Sequence, residues 1–168
     1  MDVLAALKAY AAAAIGGPPV RARTPEELGA AGAIASHFLA VTSARSLALV
    51  GGDDAVHSLV AHRQWFSPSD LRCTSGSVAA AIGGRIVPLA EALAADIVCI
   101  HTPMAIAASQ LRRGTHINAL APVELDPELR ALATITDEAQ GLPALAAGMI
   151  DGRQLDELTV FIAGSART

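Results

Sequence analysis

The sequence predicts an α/β fold with a doubly wound, mostly parallel sheet. Short apolar runs that suit buried strands alternate with longer helical patterns along most of the 168 residues. The composition agrees, because 52% of the residues are hydrophobic and only 17% are charged, which is enough for a sizeable core. Aromatic residues make up 3% of the chain, so this core must consist mainly of Ala, Leu, Ile and Val.

The first part of the chain is expected to be an appendage. Residues 1–23 are predicted to form an Ala-rich helix and a linker that contains glycine and proline. A strong helix start follows, with Thr24 as the N-cap, Pro25 in the first turn and Glu27 completing a capping box. We therefore divide the chain into this appendage and one α/β domain over residues 24–168.

The remaining elements follow from apolar runs and from their flanking Gly, Pro, Ser and Asp residues. The helix that starts at Pro25 has many small residues and is expected to suit close contact with another chain. Strands are predicted at 47–50, 71–74, 85–87, 96–100, 116–120, 134–136 and 159–162. Helices are predicted at 24–41, 54–65, 77–82, 88–94, 107–111, 142–150 and from Asp126 onward.

The turn after the first strand, Gly51-Gly52-Asp53-Asp54, is the central motif. A strand, a glycine turn and a helix start are typical of a nucleotide-binding α/β fold. The dinucleotide fingerprint requires two further glycines after Gly51, and these positions hold Asp53 and Val56. Because the two aspartates would repel phosphates, we expect no cofactor, and NAD(P) binding to be weakened by Asp53 and Asp54.

Ligands of such folds bind outside the carboxyl ends of the strands. No acid or Arg follows the second strand to contact a ribose or its 2′-phosphate. The candidate ligand-binding residues at this edge are Gly51, Gly52, Asp53, Thr74, Thr102, Pro103 and Asn118.

Histidines and cysteines give no strong site. His57 and His62 are five residues apart, which does not place two metal ligands on one helix face, so solvated or capping histidines are expected. Cys73 and Cys99 are expected to be reduced core thiols with a third strand between them. His101 and His116 lie on neighbouring predicted strand ends and could converge in the site of an unrelated enzyme, but no nucleophile motif, metal-ligand spacing or phosphate loop accompanies them.

The charge and hydropathy patterns exclude several classes of partner. The net charge is −4 without a basic run, which argues against nucleic acid and anionic membranes. No apolar run approaches the length of a membrane span, and the start of the chain lacks the basic region of a secretory signal. We therefore expect a cytoplasmic location.

Five short segments occur in order along the chain: residues 27–40, Ala95-Asp96-Ile97-Val98 with Thr102-Pro103, residues 114–119, residues 124–129 and residues 156–161. In these segments the chain resembles the dinucleotide-binding domain of the ornithine cyclodeaminase / mu-crystallin family. The resemblance implies a Rossmann-like fold. It also implies a relation to NAD(P)-dependent enzymes that cyclise ornithine, reduce cyclic ketimines or act on small amino acids.

The chain departs from the pattern of the family at several functional positions. Only residues 1–23 stand where the family has a substrate and dimerisation domain. Glu27 and Leu28 replace an Arg-Thr pair, which reverses the charge that would bind a carboxylate. Leu120-Ala121-Pro122 replaces the loop that supplies the catalytic Asp.

These departures favour a truncated relative that is not catalytic on its own. We expect a binding or assembly module, in effect a pseudoenzyme, that associates with itself or with a protein partner. The alternative is the NAD(P)-binding subunit of a split ornithine cyclodeaminase or amino-acid dehydrogenase.

Overall fold

The computed structural model describes residues 24–138, 140–148 and 157–164. The predicted N-terminal helix and linker, and the end of the helix predicted at 142–150, lie outside these residues. Within them, nine strands are present. They are β1 (Ser46–Val50), β2 (Asp70–Cys73), β3 (Arg85–Ile86), β4 (Ile97–Ile100), β5 (Met104–Ile106), β6 (His116–Ala119), β7 (Val123–Leu125), β8 (Thr134–Asp137) and β9 (Thr159–Ile162).

Helices connect most of these strands. Thr24 and Asp126 accept hydrogen bonds from backbone N–H groups three residues later, and each is followed by a proline, as predicted for the helix starts. No helix in the described ranges is long and apolar enough to cross a bilayer. The helices are α1 (Pro25–Leu39), α2 (Val56–His62), α3 (Gly76–Ile82), α4 (Leu89–Leu93), α5 (Pro127–Leu132) and α6 (Gly141–Ala146).

The predicted doubly wound sheet is confirmed. Seven strands pair in the order β3-β2-β1-β4-β6-β9-β8, and every neighbouring pair is parallel. In chain order, β2 and β3 lie on one side of β1. The next strand of this sheet, β4, lies on the other side of β1, and β6, β9 and β8 follow it there. The crevice outside the carboxyl ends of β1 and β4 is therefore the switch point where ligands of such sheets bind.

A second, two-stranded parallel sheet was not predicted. β5 pairs with β7, and Met104 N–H also donates to the carbonyl oxygen of Pro122 at 3.3 Å. Each of these strands has only three residues. Such a run is too short to show a periodicity of two, so its pairing partner is visible only in three dimensions.

Three other predicted elements need correction. The helix predicted at 107–111 is only a 3-10 turn, Ala108–Gln110. The helix expected at 54–65 begins with a 3-10 turn, Asp53–Ala55, before α2. The helix predicted at 77–82 begins at Gly76, with Ser75 in the N-cap position. The last two helices start earlier than their first strong signal in the sequence.

The predicted separation of the cysteines is confirmed. Leu49 of β1 pairs with Cys73 of β2 on one side and with Cys99 of β4 on the other. Both thiols are free and buried. A disulfide would need Cα atoms within about 7 Å, whereas a whole strand separates these two residues.

Both faces of the seven-stranded sheet are covered. One face carries a single apolar cluster that includes Val98, Ile100 and Ile117 of the sheet with Leu93 of α4 and Leu129 of α5. The other face is covered by α1, α2, α3 and α6, and its apolar residues form two separate clusters. The first face is therefore uniformly apolar, whereas the second is divided.

Helices α1 and α2 approach each other closely on the divided face. A Cβ added at Gly29 would lie 2.8 Å from both the carbonyl carbon and the oxygen of His57. A Cβ added at Gly32 would lie 3.2 Å from Cγ of Asn118. Gly29 and Gly32 therefore make close contacts within the domain, to α2 and β6, whereas the sequence suggested the small residues of this helix for contact with another chain.

Gly29→Ala tests this approach. Alanine normally stabilises a helix interior by about 1 kcal/mol relative to glycine, but here the added methyl group would overlap the α2 backbone. We expect the free energy of unfolding to fall by about 1–3 kcal/mol in urea titrations. Gly52→Ala is the matched control, because a Cβ at Gly52 meets no atom within 4 Å. A Gly29→Ala variant at least as stable as the wild type would contradict the close approach.

Candidate functional site

The glycine turn after β1 is retained at the switch point. Gly51 has φ +130°, a conformation that side-chain-bearing residues rarely adopt. A Cβ added there would lie 3.1 Å from Cβ and 3.2 Å from the carbonyl carbon of His101, the residue after β4. The first glycine of the fingerprint therefore keeps its structural role, which is to let the loops after β1 and β4 meet.

Asp53 occupies the position of the second glycine and connects the glycine turn to the first turn of α3. Its Oδ1 accepts a hydrogen bond from Ser77 Oγ at 2.6 Å, and Ser77 Oγ is 2.9 Å from Ser75 Oγ. Nearby, Gly51 N–H donates to Thr74 Oγ1 at 3.2 Å. The carboxylate of Asp53 thus lies between the glycine turn and the start of α3.

The edge around this turn is acidic. Glu26 lies in the first turn of α1, where its Oε1 is 3.8 Å from Nε2 of His57. Asp54 follows Asp53, and its charge acts on His101. The segments beside this turn, residues 24–27, 51–58, 74–77 and 101–103, contain no Lys or Arg. The edge therefore offers no cationic side chain from these segments to a phosphate.

Most sequence-predicted ligand residues lie at this edge. Gly51, Gly52 and Asp53 form the turn, and Thr74 follows β2. Thr102 and Pro103 follow β4, half-buried and exposed respectively.

The expected position of Asn118 needs correction. It was expected at a strand end, facing a ligand, but it lies within β6 and is fully buried. Its side chain packs beneath Gly32 of α1. Because β6 is an interior strand covered by a helix, this residue contacts other side chains of the domain instead of the cleft.

A buried row of polar side chains crosses the divided face of the sheet beneath α1 and α2. We call it the polar seam. Seven of its members have exposures of 0% and His101 is partly buried, in a face whose other contacts are apolar. The polar seam consists of Ser36, Ser58, His62, Cys99, His101, His116, Asn118 and Thr159.

Hydrogen bonds connect the seam from helix to strand. His62 Nε2 lies 2.8 Å from Ser36 Oγ, and Asn118 Nδ2 donates to the same oxygen at 2.8 Å. Asn118 Oδ1 is 2.8 Å from Nε2 of His116, and Nδ1 of the same histidine is 2.8 Å from Thr159 Oγ1. Buried side-chain N and O atoms in the described part of the chain all have a partner, so the seam is satisfied.

His62 is not solvated, contrary to expectation. Its ring is fully buried, and burial lowers its pKa to about 4, against an opposing hydrogen bond to the backbone of Ser58. Cys99 Sγ lies 3.9 Å from His62 Nε2, and burial raises the pKa of this thiol to about 12. A thiol held in its neutral form is a poor nucleophile.

His101 and His116 do not converge. His101 follows the carboxyl end of β4, whereas His116 pairs with Ile97 at the start of that strand. Burial lowers the pKa of His101 to about 4, and its Nε2 lies 2.7 Å from Ser58 Oγ. No group of three or more His, Cys, Asp or Glu in the described residues could hold a metal ion. The predicted histidine site of an unrelated enzyme therefore has no geometric support.

The sequence contains weak signals for the seam. Gly29, Gly32 and Ser36 recur at helical spacing, which indicates a narrow helix face. His116 and Asn118 alternate within an otherwise apolar strand, which places two polar groups on one sheet face. The two signals belong to facing surfaces, and only the fold shows that they meet.

Solved structures with the same architecture were found. An archaeal alanine dehydrogenase dimer with bound NAD matches 85% of this chain and 59% of its own, at 25% identity and a TM-score of 0.75. The iminosuccinate reductase of Paracoccus denitrificans in complex with NAD+ matches 83% and 58%, at 22% identity and a TM-score of 0.69. A probable ornithine cyclodeaminase from Bordetella pertussis Tohama I matches 82% and 60%, at 20% identity and a TM-score of 0.69.

The resemblance to the ornithine cyclodeaminase / mu-crystallin family is confirmed. The part that matches is the NAD-binding domain, so the chain spans about three fifths of the length of these family structures. No family model and no curated protein sequence matches the chain.

Ser36→Ala tests the seam. The substitution removes the hydroxyl that joins His62 to Asn118 and leaves two buried groups without that partner. We expect the free energy of unfolding to fall by about 1–3 kcal/mol in urea titrations. The exposed Ser43→Ala is the control and should change stability by less than about 0.5 kcal/mol. Equal stability of the two variants would show that the hydroxyl of Ser36 contributes nothing.

Proposed function

We propose that this chain is a Rossmann-like relative of the ornithine cyclodeaminase / mu-crystallin family that is not catalytic on its own and acts as a binding or assembly module. The observation that carries this proposal is the hydrogen bond of 2.6 Å between Asp53 Oδ1 and Ser77 Oγ. It fixes a carboxylate beside the glycine turn, where a pyrophosphate approaches the backbone in dinucleotide-binding members of the fold.

Electrostatics supports a weakened cofactor site. Two unit charges of the same sign at 4 Å repel by about 4 kcal/mol at the effective dielectric constant of a protein surface. Asp54 and Glu26 add to the negative field, and the segments of this edge supply no Lys or Arg to offset it. At the position of the second glycine, where the backbone would approach a phosphate, the carboxylate of Asp53 repels it.

The connection after β6 supports the absence of catalysis. The family resemblance places a loop with the catalytic Asp at this point. Here Leu120-Ala121-Pro122 leads directly from β6 into β7. The carbonyl oxygen of Pro122 accepts a hydrogen bond from the N–H of Met104, so this connection extends the pairing of the two-stranded sheet. No acidic side chain stands in this connection.

The assembly role is proposed by analogy with a solved relative. The alanine dehydrogenase that this chain resembles over 59% of that enzyme's length is a dimer. A second copy of this chain or a protein partner is therefore the binding class that we propose.

A second candidate is the NAD(P)-binding subunit of a split enzyme. The retained turn at Gly51, with φ +130°, favours it. So does the likeness to an alanine dehydrogenase whose structure holds NAD. In that case the partner would supply the substrate-binding residues.

Asp53→Gly distinguishes the two candidates. We expect the wild-type protein to show no thermal shift with millimolar NAD+, NADH, NADP+ or NADPH. Removing the carboxylate should tighten binding of at least one dinucleotide by about tenfold or more, which corresponds to about 1.4 kcal/mol. Saturating cofactor should then raise the melting temperature by several degrees, at about 2–4 °C per kcal/mol for a chain of this size.

Two further variants separate charge from bulk. Asp53→Asn removes the charge and keeps a side chain beside Ser77, so it should gain most of the binding if repulsion is the cause. Asp54→Asn is the matched control on the same turn and should gain less. A clear shift with the wild-type protein would favour the split enzyme, and no gain with any variant would show that Asp53 is not the obstacle.

A further inference from the structure

The polar seam separates the two apolar clusters of the divided face. The first joins Leu39 of α1 to Leu120 and Phe161. The second joins Leu59 of α2 to residues of β1, β2 and β4. His62, Ser36 and Asn118 lie where the two helices and the sheet meet. Contact between α1 and α2 at this point therefore depends on hydrogen bonds as well as on apolar packing.

His62 is the centre of this junction. Its Nδ1 lies 2.7 Å from the carbonyl oxygen of Ser58, which only accepts, so Nδ1 carries the proton. In the neutral ring Nε2 then accepts from the hydroxyl of Ser36 at 2.8 Å. Because Ser36 Oγ also accepts from Asn118, the neutral imidazole joins α2, α1 and β6.

A proton on Nε2 would break this arrangement. Nε2 would become a donor that faces the hydroxyl of Ser36, and the amide nitrogen of Asn118 lies only 3.4 Å away. The hydroxyl would have to turn away and find another acceptor inside the domain. The hydrogen bond between α2 and α1 would therefore be lost or reversed.

No counter-ion faces His62 in the described residues. The titratable neighbours on β4 and directly after it are Cys99, at 3.9 Å, and His101, beyond Ser58. On β6 the titratable neighbour is His116, beyond Asn118, and α1 presents the neutral Ser36. None of these groups is a carboxylate, and the thiol of Cys99 stays neutral because burial raises its pKa to about 12. A buried imidazolium would therefore be uncompensated.

We propose that the polar seam is an acid-sensitive joint, in which protonation of His62 separates α1 from α2 while the seven-stranded sheet and the apolar cluster on its other face stay folded. The separate apolar clusters allow this, because each helix keeps its own cluster when the seam opens. The cluster on the other face includes neither α1 nor α2.

The direction of the pH effect follows from linkage. Burial lowers the pKa of His62 from its ordinary value of 6.5 to about 4 in the closed joint. The open joint therefore binds more protons between these values. Its closing is most favourable above pH 6.5 and weakens as the pH falls toward 4.

Native-state hydrogen exchange of the whole chain at pH 7 and pH 5 tests the joint. After correction for the intrinsic exchange rates, the opening equilibrium of α1 and α2 should increase by about 20-fold at pH 5, from the linkage relation with these two pKa values. Amides of β1 and β4 should change much less. Equal changes in helices and strands would overturn the proposal.

Two variants assign the effect to its residue. His62→Gln cannot gain the proton, so the pH dependence of α1 should disappear, whereas α2 keeps the part that comes from His101, which contacts Ser58. His101→Gln is the matched control, since it removes a histidine with a similarly lowered pKa that contacts α2, and the pH dependence of α1 should persist. If His62→Gln does not fold, an NMR titration of the His62 ring in the wild type decides: protonation near pH 6.5 with α1 and α2 still protected would overturn the proposal.

Discussion

The position of β1 between β2 and β4 determines where every functional feature of this domain lies. Because β1 is paired on both sides, the loops that follow β1, β2 and β4 meet at one edge of the sheet. Gly51 makes this meeting possible through its contact with the backbone of His101. The same pairing brings Cys99 and His101 to the face under α2. The acidic edge around the glycine turn and the polar seam thus both result from one arrangement of strands.

The closeness of α1 to the sheet determines what the interior can contain. Glycines at positions 29 and 32 leave no room for larger side chains between α1, α2 and β6. The space beneath them is occupied by polar side chains that hydrogen-bond to one another, among them Ser36, His62 and Asn118. A narrow helix and a polar interior are therefore linked, because the close approach of α1 brings the hydroxyl of Ser36 within hydrogen-bond distance of α2 and β6.

Local patterns were sufficient to predict most of the fold. Apolar runs between turn signals predicted the seven strands of the main sheet, and the bounds of β9 agree with the prediction at both ends. The missing strands, β5 and β7, are stabilised by each other and carry no pattern of their own. In the site, the glycine turn and Asp53 were visible because a known fingerprint gives their spacing. Asn118 was misplaced because its partner Ser36 lies 82 residues away in the chain.

The hydrogen bonds of the seam run in one direction between His116 and Ser58. His116 donates to Asn118, Asn118 to Ser36, Ser36 to His62, and His62 to the carbonyl oxygen of Ser58. Asn118, Ser36 and His62 are each a donor on one side and an acceptor on the other. A replacement at one position leaves its neighbours facing a group of the wrong kind. During evolution these residues are therefore expected to be kept or exchanged as a set, so that relatives inherit the whole row or none of it.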